Sequence, residues 1–199
     1  PPRSTLFPYT TLFRSRPDLR PQEATRITIA GATALWRAIH EVAGLRADVK
    51  WPNDILMNGR KVAGILTEMN AELDHVKYVI LGVGLDVNQT ATDFPAELRR
   101  VATSLRVETR RPVSRAELAT AILRELDRDY RRVCQGAFAE VADEWEEHCA
   151  TLGQQVGINI GNRTLRGRAE ALDDDGALLL RTEHGHLERV IGGDVTLEK

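Results

Sequence analysis

The sequence predicts an α+β fold in which a mostly antiparallel sheet packs with helices and is followed by a small β-barrel. Three observations carry this. Between Asp48 and Val87, β-rich runs follow one another through tight turns, as in a meander and unlike a doubly wound sheet. Helical periodicity flanks that region at Pro21–Ala43, Arg115–Cys134 and Phe138–Ala150. From Leu152 onward the pattern changes to short, regularly spaced strands, which suits a barrel.

Composition narrows the class. The chain has 199 residues, 42% hydrophobic and 28% charged, enough for one medium domain and a small second one. The formal net charge of −2 offers no basic field for nucleic acid and no polybasic membrane patch. No apolar run approaches the ~18 residues of a membrane span. Cys134 and Cys149 form no metal-ligand cluster and read as reduced thiols. With no signal-peptide pattern, the expected location is cytoplasmic.

Residues 1–16 stand apart. Thr-Leu-Phe occurs at 5–7 and again at 11–13, prolines fall at 1, 2 and 8, and there is no initiator methionine. The segment resembles translated adapter sequence, or else an ordinary poorly ordered terminus. It is expected to be a non-native or disordered tail outside the fold.

From Pro21 to Ala43, apolar residues recur every three or four positions and Gly44 supplies a C-terminal stop. Gly31 and the alanines suit close packing, and Trp36 reads as a packing residue. Strands follow near Asp48–Trp51, Ile55–Met57, Lys61–Asn70 and His75–Val87. Gly82 and Gly84 interrupt the last, as glycines do where something approaches the backbone. A short helix is expected near Ala96–Leu105. Ser114-Arg115-Ala116-Glu117 is a capping box opening a helix to Cys134, with Leu118, Ile122, Leu126 and Tyr130 on its apolar stripe. The alternating charges of Arg124–Arg132 read as its solvated face. Phe138–Ala150 follows after Gly136. Strands at Gln155–Ile160, Thr164–Leu172, Ala177–Thr182, Leu187–Ile191 and Val195–Glu198 complete the chain. His184 and His186 read as a polar turn.

The organising stretch is Lys50–Leu66. Asn58-Gly59 is a strong hairpin signal because both residues tolerate positive φ. With that turn joining Met57 to Arg60, Leu56 faces Lys61 and Lys50 faces Thr67. Lys61, Ala63 and Ile65 then share one face, and Val62, Gly64 and Leu66 the other. Both faces are apolar in the middle, so both are expected to be covered. A lysine beginning such a strand snorkels to water or meets an anion.

Lys50-Trp51-Pro52-Asn53-Asp54, followed by Gly59-Arg60-Lys61-Val62-Ala63-Gly64-Ile65-Leu66, resembles the central signature of biotin protein ligases. The likeness continues from about Leu19 to the C-terminus. It implies a catalytic domain of the class II aminoacyl-tRNA synthetase/biotin ligase type over 17–151, present in part, and an SH3-like C-terminal domain over 152–199. It also implies an activity: biotinyl-5′-AMP forms from biotin and ATP with Mg2+, and biotin passes to a lysine of a carboxyl-carrier domain. Lys61 then contacts biotin and the adenylate phosphate, and Asp54 the metal and nucleotide. Lys50, Trp51 and Asn53 complete the motif by shaping the site or by contact. A rigid strand-to-turn transition explains Trp51 and Pro52 equally well. Gly64 lets a ligand lie against the backbone.

Gly82-Val83-Gly84-Leu85-Asp86-Val87-Asn88 resembles a later family motif, adding Gly84, Asp86 and Asn88 to the binding set. Asp86 stands where the family has asparagine. It either serves as a second magnesium ligand or weakens ATP binding. The family's Gly-Arg-Gly-Arg-x-Gly-Arg loop does not appear in the sequence. The expected alternatives are therefore a non-catalytic fragment of such a ligase, or a lipoate or octanoate ligase relative. The partners expected are the carrier domain and a second copy in a homodimer.

Overall fold

The computed structural model describes residues 11–197. The first sheet comprises β1 (Thr11–Ser15), β2 (Asp48–Lys50), β3 (Asp54–Met57), β4 (Arg60–Ala71) and β5 (Val76–Leu85). Their order is β1-β5-β4-β3-β2, with every pair antiparallel. Strands β2 to β5 form the expected meander. β1 is a correction: part of the segment set apart by composition is an edge strand, with Thr11 opposite Val83 and Ser15 opposite Val79. A run containing Leu12 and Phe13 beside Thr11 is adequate strand sequence once a sheet edge is there to receive it. Residues 1–10 lie outside the described residues.

Helix α1 (Thr25–Ala43) follows a 3₁₀ turn at Pro21–Ala24 and ends at Gly44, whose φ of 68° lets the chain leave in the left-handed region. It packs on one face of the sheet. A Cβ on Gly31 would stand 2.9 Å from Leu81 Cδ2, so the helix approaches where this glycine permits. Thr28 Oγ1 lies 2.8 Å from Thr67 Oγ1 on that same face. Ile27, Leu35, Ala38 and Ile39 are buried in the resulting core.

α2 (Leu105–Thr109) is not the helix expected at Ala96–Leu105. Residues 96–101 form turns, Ala102 bridges to Lys61, and Ser104 then caps a new helix by accepting from the Val107 amide. α3 (Arg115–Cys134) starts at the expected Ser114 cap, and α4 (Phe138–Glu147) follows. One face of α3 departs from expectation. Glu125 and Asp129, placed among the solvated charges, are buried where Arg37 of α1 meets both of them and Glu144 of α4. A buried carboxylate requires such pairing.

The second sheet contains β6 (Gln155–Ile160), β7 (Arg163–Leu172), β8 (Leu178–Thr182), β9 (Leu187–Val190) and β10 (Asp194–Leu197), in the order β10-β6-β7-β8-β9. Its antiparallel pattern is consistent with an SH3-like module. Val156, Ile158, Leu178 and Leu180 form its interior. The module is latched to the helices: Arg26 Nε donates to Asp174 O at 3.0 Å, and the Leu172 amide donates to Glu146 at 2.6 Å. The α4–β6 connector also runs beside β2. Val49 donates to His148 O and accepts from the Ala150 amide, both at 2.8 Å. Among the described residues no helix is long and apolar enough to cross a membrane.

Candidate active site

The β3–β4 hairpin turns at Asn58-Gly59, with φ of 51° and 74°, and Leu56 does face Lys61. Between Ile55 and Leu56 the pairing then shifts, so that Ile55 faces Ala63 and Val62 is the extra residue. Such a bulge inverts the alternation beyond it. Lys61 consequently shares a face with Gly64, contrary to regular alternation. A Cβ on Gly64 would lie 3.0 Å from Lys61 Nζ and 3.1 Å from Cε. Nor does Lys50 face Thr67: β2 turns at residues 51–53, and Lys50 pairs with Asp54.

These shifts create a row. Lys50 lies opposite Asp54, Asp54 opposite Gly64, and Gly64 opposite Gly84, across β2, β3, β4 and β5. Directly paired residues share a face. The row therefore lies on one side of the sheet, away from α1. Leu66, paired with Gly82 on that side, is 60% exposed. The expectation that both faces are covered fails here, because α1 covers only the other one.

Lys61 Nζ reaches across Gly64 to Asp54 Oδ1 at 2.5 Å. The pair is accessible, with side-chain exposures of 39% and 22%. An accessible ion pair contributes little to stability and is readily exchanged for another anion. Asp86 continues the line beyond β5. Its amide donates to Val62 O, its carbonyl accepts from Leu105, and Gln89 Nε2 donates to its carboxylate at 2.9 Å. Burial pushes its carboxyl up to about 6, with the Lys61 charge pulling the other way.

Lys50, Asp54, Lys61, Gly64, Gly84 and Asp86 thus come together. The other three serve the frame. Trp51 is 1% exposed, packed in the core, and its amide donates to Thr151 Oγ1. Asn53 Nδ2 donates to Ile65 O at 2.5 Å while its carbonyl accepts from the Ile65 amide, which closes the β2–β3 turn onto β4. Asn88 spends both ends of its amide on the Val113 backbone.

Sequence reasoning missed the segment that holds Lys61 from outside the sheet. The Lys61 amide donates to Val101 O and the Thr103 amide donates to Lys61 O, both at 2.8 Å. The one local signal was the Ser104 cap three residues before Val107.

An open antiparallel sheet backed by helices and followed by a small β-module is the fold of solved biotin protein ligases. Residues 5–86 match the biotin/lipoate A/B protein ligase family, and residues 151–197 match the biotin protein ligase C-terminal domain. The chain belongs to the biotin protein ligase family. It is 32% identical over 176 residues to the biotin–[acetyl-CoA-carboxylase] ligase of Paracoccus denitrificans, covering 84% of this chain and 72% of that one. It is 40% identical over 182 residues to the bifunctional ligase/repressor BirA of Bacillus subtilis, covering 92% of this chain and 56% of the relative, so it spans about half of that protein's length. In fold it resembles the biotin protein ligase of Aquifex aeolicus in complex with biotin and ATP, with a TM-score of 0.77, 24% identity and coverage of 96% and 78%.

Proposed function

We propose that the protein carrying this chain activates biotin with ATP to biotinyl-5′-AMP and passes the biotinyl group to a lysine of a carboxyl-carrier domain. The observation that carries this reading is the Lys61–Asp54 pair lying across Gly64 and beside Gly84 on the open face. Joining a carboxylate to an α-phosphate brings two anions together and builds charge on the phosphate. A lysine is a compact cation suited to both demands. Gly64 and Gly84 carry no side chains, so a ligand can approach their backbone beside that ammonium.

The residues present fit a polyphosphate-bound Mg2+. Among the described residues no group of three or more His, Cys, Asp or Glu is arranged to hold a metal. Mg2+ needs only one or two carboxylates when phosphates and water complete its shell. Asp54 would supply that oxygen. A bound Mg2+ would neutralise phosphate charge, with Asp54 as the residue to hold it, and Lys61 would face the substrate anions. The named activities of the relatives and the biotin and ATP of the Aquifex aeolicus complex support this reading. The carrier domain is the partner, and the cytoplasm the location.

Biotin-dependent exchange of pyrophosphate into ATP is the test, followed by transfer of labelled biotin to a carrier domain. Exchange with biotin and not with lipoate or octanoate is expected. Exchange driven by lipoate alone would overturn the assignment in favour of the related acyl ligases.

A further inference from the structure

Lys61 is fixed by a second device besides its sheet, and that device converges on one carboxylate. The segment Val101–Thr103 brackets the Lys61 peptide group on both sides, through Lys61 N–H to Val101 O and Thr103 N–H to Lys61 O. Next to it, Glu108 of α2 accepts three hydrogen bonds. Thr103 Oγ1 donates at 2.6 Å and Arg60 Nη2 at 2.7 Å to Oε1, and Asn58 Nδ2 donates at 2.7 Å to Oε2. Its side chain is only 8% exposed. Glu108 therefore joins the hairpin turn on one side of Lys61 to the bracketing segment on the other.

We propose that Glu108 is a positioning residue for Lys61, holding the bracket against the hairpin so that the ammonium stays over Gly64. The proposal rests on the ligase reading for its catalytic consequence. The geometry explains why a single residue serves. Lys61 pairs with Leu56 of β3 beside the bulge at Val62, but on the other side of β4 the pairing with β5 runs only as far as Ala63. A strand position beyond its neighbour's end keeps its direction only if something else takes its backbone groups. Val101 and Thr103 take them, and Glu108 ties Thr103 to Arg60 and Asn58. A mispositioned lysine would still allow substrates to bind but would lose contact with the charge that develops during reaction, so the loss should fall on kcat more than on KM.

The test uses Glu108→Ala and Thr103→Val in the protein carrying this chain, with Glu108→Gln as the conservative variant. The expected result for Glu108→Ala is a kcat for biotin-dependent exchange lowered roughly 10- to 100-fold. KM for biotin and ATP should stay within about threefold. Glu108→Gln, which keeps an acceptor for Thr103, should recover most of the activity. Amide hydrogen exchange over residues 58–62 should accelerate in Glu108→Ala while α1 keeps its protection. An unchanged kcat in Glu108→Ala overturns the proposal, as does lost activity with unchanged protection at 58–62. If Glu108→Ala does not fold, Thr103→Val decides by the same two readings. A parent protein without biotin-dependent exchange sinks the ligase reading alone, because the protection of residues 58–62 still reports whether Glu108 holds the bracket.

Discussion

The Lys61 ammonium lies where a side chain at residue 64 would begin: a Cβ on Gly64 would stand 3.0 Å from Nζ. The absence of a methyl group thus sets the height of the cation above the sheet. Gly64→Ala should fold normally, because the group it meets is the mobile end of a lysine, with a melting midpoint within about 3 °C of the parent. Its exchange activity should fall by up to about tenfold, since the ammonium must give way by a few tenths of an ångström and a full misplacement of about 1 Å costs about 100-fold. Parallel melting and exchange assays check the separation.

Lys61→Ala removes the cation itself. Exchange should fall by at least about 100-fold, the usual scale for losing one preorganised electrostatic contact. The fold should survive, because an ion pair this exposed stabilises little. Near-normal turnover would remove Lys61 from its role.

Asp86 gives a pH dependence with a definite sign. Its carboxyl titrates at about 6 in the folded chain, against an ordinary value of 3.8. The folded state therefore binds the proton more tightly than the unfolded chain. This contribution to stability is fully present below about 4, declines as pH rises, and is gone above about 6. Asp86→Asn should remove that decline and stabilise the protein near pH 8 by about 1 kcal/mol after discounting for solvent screening. It should also lower the KM for ATP at pH 8 and flatten its pH profile, because a negative charge no longer faces the triphosphate. Denaturation and KM series from pH 5 to 8 measure both.

Arg37 holds three helices together through Glu125, Asp129 and Glu144. Arg37→Met would leave the fully buried Asp129 beside Glu125 and Glu144, with Arg132 Nη1 at 3.6 Å as its remaining counter-charge. A loss of about 3 kcal/mol is expected. The melting midpoint should fall by about 10 °C for a chain of this size. Thermal unfolding at pH 7 reads it directly.

The same residues show what sequence reasoning can reach. Asn58-Gly59, the Ser114 cap, Gly44 and the Leu118 stripe act over a few residues, so their elements were legible. Lys61 and Asp54 were legible as a motif, with a chemistry that suits them. The row from Lys50 to Gly84 was not, because it depends on a bulge at Val62, and valine carries no local sign of one. Asp129 looked solvated because its partner Arg37 lies 92 positions away. Asn53 and Asn88 look like ligand-binding amides in a motif, yet each is occupied with backbone from another segment.

The connector between the two sheets is also hydrogen-bonded to the first one. His148 and Ala150 pair with Val49, and Thr151 receives the Trp51 amide. The second sheet is therefore not an interchangeable cassette. A chimera joined at residue 148 would strip β2 of its outer rung and unmoor Lys50, its last residue. Splice points for such hybrids belong after Thr151, where the connector has finished bracing the active-site strand.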